Sequence, residues 1–309
     1  MSASGDAGPA PAPGRGADPG AIVAAMRFPG PAEKVARALG LTERRNMFWC
    51  WVPNRNFGDW LGPYLFAACT GTAPLFHAGR RRVPLLAQSS TLWAAGSILR
   101  LIRVPGVARV WGSGILSGSD VFARPREVLA VRGPRSAARL EALGHPATEV
   151  FGDPGVLLPE VYAPPAGKTH RLGVIPHYVD IARVSAALAG TPWIRVIDVR
   201  QPVERVVDEI AACEATLSSS LHGIIVSHAY GVPSAWWRSV RPLMGDGSKF
   251  LDYFESLGET ALRRPVAVAP DRPARELLAA AADAPCLDTR PLAAALAAVC
   301  PFWPAGPGR

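Results

Sequence analysis

The sequence predicts an α/β protein built from two parallel-sheet halves. Three observations carry this: short apolar runs alternate with amphipathic stretches from Met47 onward, the alternation pauses once at a Pro/Gly segment, and an apolar fraction of 49% over 309 residues is enough for two cores. At the usual ~100–200 residues per domain, two domains are expected. Residues 1–22 are rich in Pro, Gly, Ala and Ser without apolar periodicity, a composition that cannot offset the entropy of ordering, and they read as a disordered tail. In the first half, residues 23–166, the strands expected are Met47–Val52, Leu92–Ala95, Arg109–Trp111, Val128–Val131 and Glu149–Phe151, with a helix over Pro134–Leu143. Val161–Thr169, containing Pro164-Pro165-Ala166-Gly167, reads as the linker. The second half, residues 167–309, resumes with strands Leu172–Ile175, Arg195–Val199 and Thr216–Ser218. Pro202–Cys213 sets Val203, Val206, Val207 and Ile210 on one helical face, and Asp283–Pro301 reads as an Ala-rich terminal helix. Strands alternating with helices in both halves give two Rossmann-like domains.

The formal net charge is +8, and the basic residues are nearly all arginine; lysine stands only at Lys34, Lys168 and Lys249. Such a bias reflects either the base composition of a genome or a small anionic ligand. Nucleic acid is not an expected partner. Arg80-Arg81-Arg82 is the single tight basic cluster, without interleaved aromatics or a module motif, and reads as a solvated loop. Cys50, Cys69, Cys213, Cys286 and Cys300 are odd in number and lack C-x-x-C spacing, which supports neither a disulfide framework nor a zinc site and fits a reducing compartment. The first 20 residues lack the charged start and apolar stretch of a secretory signal, and no window reaches about 18 uninterrupted apolar residues, so a cytoplasmic location is expected.

Open α/β sheets bind ligands just past the C-terminal ends of their strands. Four strand-end loops stand out. The first, Asn54-Arg55-Asn56-Phe57-Gly58-Asp59, opens a helix running from Trp60 towards Thr70. Asp59 there is either an N-cap worth about 1 kcal/mol or a functional carboxylate, and its company decides between them. The second, Trp111-Gly112-Ser113-Gly114, is a glycine turn whose N–H groups can approach a phosphate or carboxylate. It is no dinucleotide fingerprint: Ser117 stands where a third glycine belongs, and the next strand ends on Arg132 where a ribose needs a carboxylate. In the third, Arg132-Gly133-Pro134, proline presets a helical turn, and the planar guanidinium is either an anion clamp or half of a buried ion pair.

The fourth loop, Thr216-Leu217-Ser218-Ser219-Ser220-Leu221-His222-Gly223, offers three hydroxyls to a phosphate and then enters an apolar helix, Ile224 to Tyr230. His222 lies in the first turn, where the helix dipole favours neutral imidazole. His228 is assigned to structure, while His177 in Ile175-Pro176-His177-Tyr178 ends a strand and can line the crevice. Lys249 is notable in an arginine-biased chain; it is either functional or an ordinary surface lysine. Trp60, Trp236 and Trp237 read as core. The absence of H-E-x-x-H, G-x-S-x-G and G-x-x-x-x-G-K-[ST] argues against zinc hydrolysis, an α/β-hydrolase elbow and a Walker-type NTPase, and no metal is implied.

Taken in order, Asn56-Phe57-Gly58-Asp59, Val110-Trp111-Gly112-Ser113-Gly114, Val131-Arg132-Gly133-Pro134, Gly152-Asp153-Pro154 with Leu157-Leu158-Pro159, Gly173-Val174-Ile175-Pro176-His177-Tyr178, Ser218-Ser219-Ser220-Leu221-His222-Gly223 and Lys249-Phe250 with Asp252-Tyr253 resemble the polysaccharide pyruvyltransferases, in particular the bacterial exopolysaccharide ketal-pyruvate branch. The likeness spans Asn54 to Gly258. It implies a GT-B-like pairing of the two halves, phosphoenolpyruvate as donor substrate with no cofactor, and a saccharide acceptor. In the bacterial branch the acceptor is often lipid-linked, which would bring the chain to the inner membrane face as a peripheral protein. Some members carry an arginine directly before the Leu-His pair, where this chain has Ser220, leaving Arg132, Lys249 and Arg200 as candidates to grip the donor phosphate.

The resemblance implies that Asp59 and His222 share the proton transfers, with the acid and the base not yet assigned. Asn56, Gly58, Gly112, Ser113, Gly114, Arg132, His177, Ser218, Ser219, Ser220, Leu221 and Lys249 form the implied substrate surface. Two rivals stand beside this reading: a glycosyltransferase using a sugar nucleotide on the same architecture, and a non-catalytic partner in polysaccharide assembly. The mechanism requires Asp59 and His222 to face one another across the two halves.

Overall fold

The computed structural model of the chain describes residues 18–39, 41–50, 56–77 and 90–304. Helices α1 (Pro19–Ala24) and α2 (Pro31–Ala38) precede β1 (Asn46–Phe48), α3 (Phe57–Thr70), β2 (Leu75–Phe76), β3 (Thr91–Trp93), β4 (Ala108–Trp111), β5 (Glu127–Ala130) and α4 (Pro134–Ala142). A 3-10 segment, Pro154–Glu160, leads into β6 (His170–Ile175), α5 (Ile181–Ala187), β7 (Ile194–Val196), α6 (Val203–Ala211), β8 (Cys213–Ser218), α7 (Leu221–Ala229) and β9 (Ser234–Trp236). The last helices are α8 (Ser248–Ser256), α9 (Ala274–Ala281) and α10 (Arg290–Ala298).

The strands form two parallel sheets, ordered β2-β1-β3-β4-β5 and β7-β6-β8-β9. In each sheet the winding direction reverses once, between β1 and β3 and between β6 and β8. A reversal leaves adjacent strand ends uncovered by crossovers, so a crevice opens there. The loops after β1, β6 and β8 therefore border crevices before any side chain is considered.

The α/β reading holds, with local differences. Pro19–Ile22, assigned to the tail, belong to α1: Asp18 caps it by accepting the Gly20 N–H at 2.9 Å, and Val23 packs against the core. Helix α3 starts at Phe57, three residues before the expected Trp60. Glu149–Phe151 is not a full strand but a single bridge, Val131 to Phe151, because the chain turns at Gly152 (φ +142°) into the 3-10 segment. The terminal helix begins at Arg290 instead of Asp283, since Pro285 disfavours helical backbone in the residue before it. Residues 1–17, Val52, Asn54-Arg55 and Arg80-Arg81-Arg82 lie outside the described residues.

Two helices late in the chain pack back on the first half. Helix α8 is pinned to α4 by Arg135–Glu255 at 2.7 Å and by the Asp252 carboxylate, which accepts the Ser136 N–H at 2.9 Å. Helix α10 covers β4, where Trp111 Nε1 donates to the Leu296 carbonyl at 3.1 Å. Leu61 and Leu65 of α3, Leu157 and Leu158 of the 3-10 segment, and Ile224 and Ile225 of α7 share one buried cluster. Each such side chain contributes roughly 1.5–3 kcal/mol when removed from water, so the 3-10 segment ties α3 and α7 into one core. Among the described residues no helix is long and apolar enough to cross a membrane.

Candidate active site

The site begins at the start of α3. Asn56 is the N-cap, its Oδ1 accepting the Gly58 N–H at 3.2 Å, so Asp59 is a first-turn carboxylate and not the cap. The Phe57 N–H donates to the Val199 carbonyl at 2.8 Å, tying this helix start to the loop beyond β7. Gly58 has no room for a side chain: a methyl there would overlap Nδ1 of His222. Asn56 and Gly58, expected to touch substrate, thus build the helix start and seat the imidazole. The consequence is that Asp59 and His222, from opposite halves, meet at one place. Burial raises the Asp59 carboxyl to about 6, against the opposing pull of His222 and Lys249.

Helix α7 delivers His222 from the second half. The serine turn ahead of it divides by task. Ser218 Oγ donates to the Ser220 carbonyl at 2.7 Å and accepts the Ser220 N–H at 3.1 Å, while Ser219 Oγ accepts the His177 N–H at 2.9 Å. Ser218 and Ser219 therefore hold the turn and the loop after β6, and Leu221 is core. Ser220 occupies the N-cap position without a side-chain cap bond. His177 Nδ1 is buried with no partner among the described residues. Burial, helped by Lys249 and resisted by Asp180, lowers this imidazole to about 4, so it is neutral at physiological pH. Lys249 enters from the first turn of α8, half-buried, with Nζ 5.1 Å from the centre of the Phe250 ring. Burial and Arg132 lower its ammonium to about 8, with Asp59 opposing.

Behind His222 lies a residue that sequence reasoning left without a role. Asp153 is wholly buried at the start of the 3-10 segment; its Oδ1 accepts the Gly155 N–H at 3.0 Å and its Oδ2 lies 3.5 Å from His222 Nε2. Burial alone would raise this carboxyl, but His222, the Gly155 N–H and Arg132 outweigh burial and hold it below the usual carboxylate range. An aspartate just before proline in Gly152-Asp153-Pro154 reads locally as a cap, and nothing in the spacing points to a histidine almost seventy positions away.

Arg132 departs most from expectation. It is 0% exposed and spends its guanidinium on the protein: Nε on Asp252 Oδ2 at 3.1 Å, one terminal nitrogen on Ser97 Oγ at 2.8 Å, the other on the Ile115 carbonyl at 2.6 Å. The buried ion pair is the alternative that holds. Its presence also fills the glycine turn. A methyl at Gly114 would strike the Arg132 guanidinium, one at Gly112 (φ +84°) would strike Pro154, and Ser113 Oγ is bound to the Gly96 carbonyl at 3.0 Å. Gly112, Ser113 and Gly114 thus seat protein groups rather than a phosphate. Trp60 and Trp237 are buried, while Trp236, partly exposed, stacks on Phe250 beside Lys249. Among the described residues no group of three or more His, Cys, Asp or Glu is arranged to hold a metal ion.

Asp59, His177, Ser220, His222 and Lys249 therefore gather where the two switch points meet, presenting a carboxyl of raised affinity for protons, two imidazoles, a hydroxyl and an ammonium. Such a set can bind a small polyanion and move protons on both sides of it. Comparison with known proteins agrees in kind. Residues 111–236 match the family described as polysaccharide pyruvyl transferase, a stretch that holds His177, Ser220 and His222 but not Asp59 or Lys249. The chain is 32% identical over 158 residues to uncharacterized protein L143 of Acanthamoeba polyphaga mimivirus, covering 48% of this chain and 54% of that protein. It is 27% identical over 227 residues to the succinoglycan biosynthesis protein ExoV of Rhizobium meliloti, covering 69% of this chain and 65% of that one. It thus spans between about half and two thirds of the curated relatives it matches. Among solved structures, a functionally uncharacterized protein of Klebsiella pneumoniae subsp. pneumoniae is matched at TM-score 0.40 and 8% identity, over 78% of this chain and 100% of that one.

Proposed function

From the premise that the chain belongs, through residues 111–236, to the polysaccharide pyruvyl transferase family, we propose that it transfers pyruvate from phosphoenolpyruvate to a hydroxyl pair of a sugar and closes a pyruvate ketal. The observation that carries the reading is the meeting of Asp59 and His222 across the two halves, with Lys249 beside them. In this reading the halves act as the lobes of a GT-B-like enzyme. The acceptor is a unit of a polysaccharide or of its lipid-linked precursor, met at the inner membrane face.

The chemistry assigns the roles. Asp59, whose carboxyl holds its proton up to about pH 6 in the free protein, is the acid. A multiply anionic donor placed beside it raises its proton affinity further, so it is protonated when the donor is bound. It delivers that proton to the methylene carbon of the enol phosphate, leaving cationic character on the adjacent carbon. The first sugar hydroxyl attacks there and gives its proton to His222. The carbon–oxygen bond to phosphate then breaks, His222 returns its proton to the departing phosphate, and the second hydroxyl closes the ketal while reprotonating Asp59. Both hydroxyl protons are thereby accounted for, one on the new methyl group and one on phosphate. Lys249 and Ser220 hold the donor's anionic groups.

The test is to incubate the purified chain with phosphoenolpyruvate and a panel of lipid-linked oligosaccharides, following phosphate release and the methyl resonance of a ketal. Parallel reactions carry nucleotide sugars. Acceptor-dependent phosphate release with a new methyl signal is expected; acceptor modification from nucleotide sugars alone would overturn the reading.

A further inference from the structure

His222 presents two edges to two different surroundings. Nε2 faces inward, 3.5 Å from Asp153 Oδ2, and neither atom has a hydrogen-bond partner among the described residues, so each is the nearest polar group the other is given. Nδ1 faces the start of α3, packed so closely on Gly58 that no side chain fits between them. Asp153 is wholly buried and cannot rotate away, since its other oxygen accepts the Gly155 N–H at 3.0 Å and the segment it caps packs on α7, with a methyl at Gly155 coming 3.1 Å from Ile225 Cγ2. A carboxylate has only acceptor atoms, so the imidazole nitrogen facing it must carry the hydrogen.

We infer that Asp153 is a positioning residue that fixes His222 as the Nε2–H tautomer and keeps Nδ1, the edge towards the start of α3, without a hydrogen. The inference rests on the pyruvyl-transfer reading for its catalytic consequence, but not for the tautomer itself. It also explains a buried carboxylate that an N-cap alone would not require, because asparagine or serine caps as well.

The variant that separates tautomer from packing is Asp153→Asn. Its amide oxygen keeps the Gly155 N–H, which turns the NH₂ group towards His222 Nε2. An NH₂ group donates, so the ring must move its hydrogen to Nδ1 and lose the acceptor there. The measurement is the ¹⁵N imidazole spectrum of the full chain near pH 8, at about the point where histidines are neutral; the His222 signals are identified by their loss in His222→Gln. Wild type is expected to carry the hydrogen on Nε2 and Asp153→Asn on Nδ1. Turnover should fall ~10²–10⁴-fold, with the apparent donor KM within about threefold of wild type.

A wild-type ring protonated on Nδ1 would overturn the inference, and this readout does not depend on the variant folding. So would an Asp153→Asn protein with the inverted tautomer and wild-type turnover. A wild-type chain that makes no ketal with any acceptor sinks the functional reading instead, while the spectrum still decides the tautomer.

Discussion

The turn after β4 and the turn after β8 are both made of small residues at the ends of buried strands, yet one is filled by protein side chains and the other carries a histidine across to the first half. In the first, Gly112, Ser113 and Gly114 close around Pro154, the Gly96 carbonyl and the Arg132 guanidinium. In the second, Ser218 and Ser219 bind their own turn and the loop after β6, and the chain beyond them projects Ser220 and His222 towards Asp59. The two cations differ in the same way. Arg132 is dry and surrounded by Asp252, Ser97 and Ile115, whereas Lys249 is only partly buried and lies over an aromatic ring. A turn that admits close approach is thus a site only when no side chain of the protein has already taken the space.

This contrast can be broken by two substitutions. His222→Ala is expected to cut turnover by ~10²–10⁴ while the circular dichroism stays near wild type and the melting temperature falls, since buried Asp153 loses its partner. Near-normal turnover would remove the second turn from the mechanism. Arg132→Met should act the other way, on folding first. It strands Asp252 as an unpaired buried charge, which costs about 3–5 kcal/mol. Adding Asp252→Leu should recover much of that loss, because removing both charges leaves no buried ion without a partner. If Arg132→Met melts like wild type and instead raises the donor KM, Arg132 is a ligand group and the two turns are alike after all.

Much of the fold was legible because period and punctuation are local. The face of α6 made by Val203, Val206, Val207 and Ile210 appears as spaced valines and is buried as expected. What was not legible depends on partners distant in sequence. Whether Arg132 meets a ligand or Asp252 is decided by where α8, 120 residues later, packs on α4. Asp153 becomes a partner of His222 only once the 3-10 segment and α7 share a core. Gly58, read as a ligand contact, is required by a ring from the other half. Asp59 and His222 were identifiable because strand ends and helix starts announce themselves locally, and their meeting follows from the two switch points.

The cleft should also be distinguishable by its response to pH, first in stability. The folded Asp59 carboxyl binds its proton up to about 6 against a reference of 3.8, so its protonated form favours the native state. That contribution is fully present below 3.8 and lost as pH rises through about 6, leaving a cost of up to about 3 kcal/mol at neutral pH. Asp59→Asn should therefore unfold at a higher temperature than wild type at pH 8, roughly 2–3 kcal/mol more stable, with the advantage gone near pH 4 and with turnover lost. An advantage of equal size at both pH values would mean that Asp59 is not held in a charge-hostile place.

The smallest effect belongs to Lys249. In the free protein two groups titrate on the alkaline side, Asp59 at about 6 and Lys249 at about 8. Loss of the Asp59 proton removes the acid, and loss of the Lys249 proton removes the cation that meets the donor. The logarithm of kcat/KM for phosphoenolpyruvate should then fall with a slope near one between these values and near two above the second. Lys249→Arg keeps its charge throughout this range, since guanidinium does not deprotonate in proteins. Its profile should keep the first decline and lack the second, even if the larger group costs about a few-fold near neutrality by displacing the donor. A slope that still steepens above pH 8 in Lys249→Arg would assign the second titration elsewhere and leave the donor's anionic end without its cation from α8.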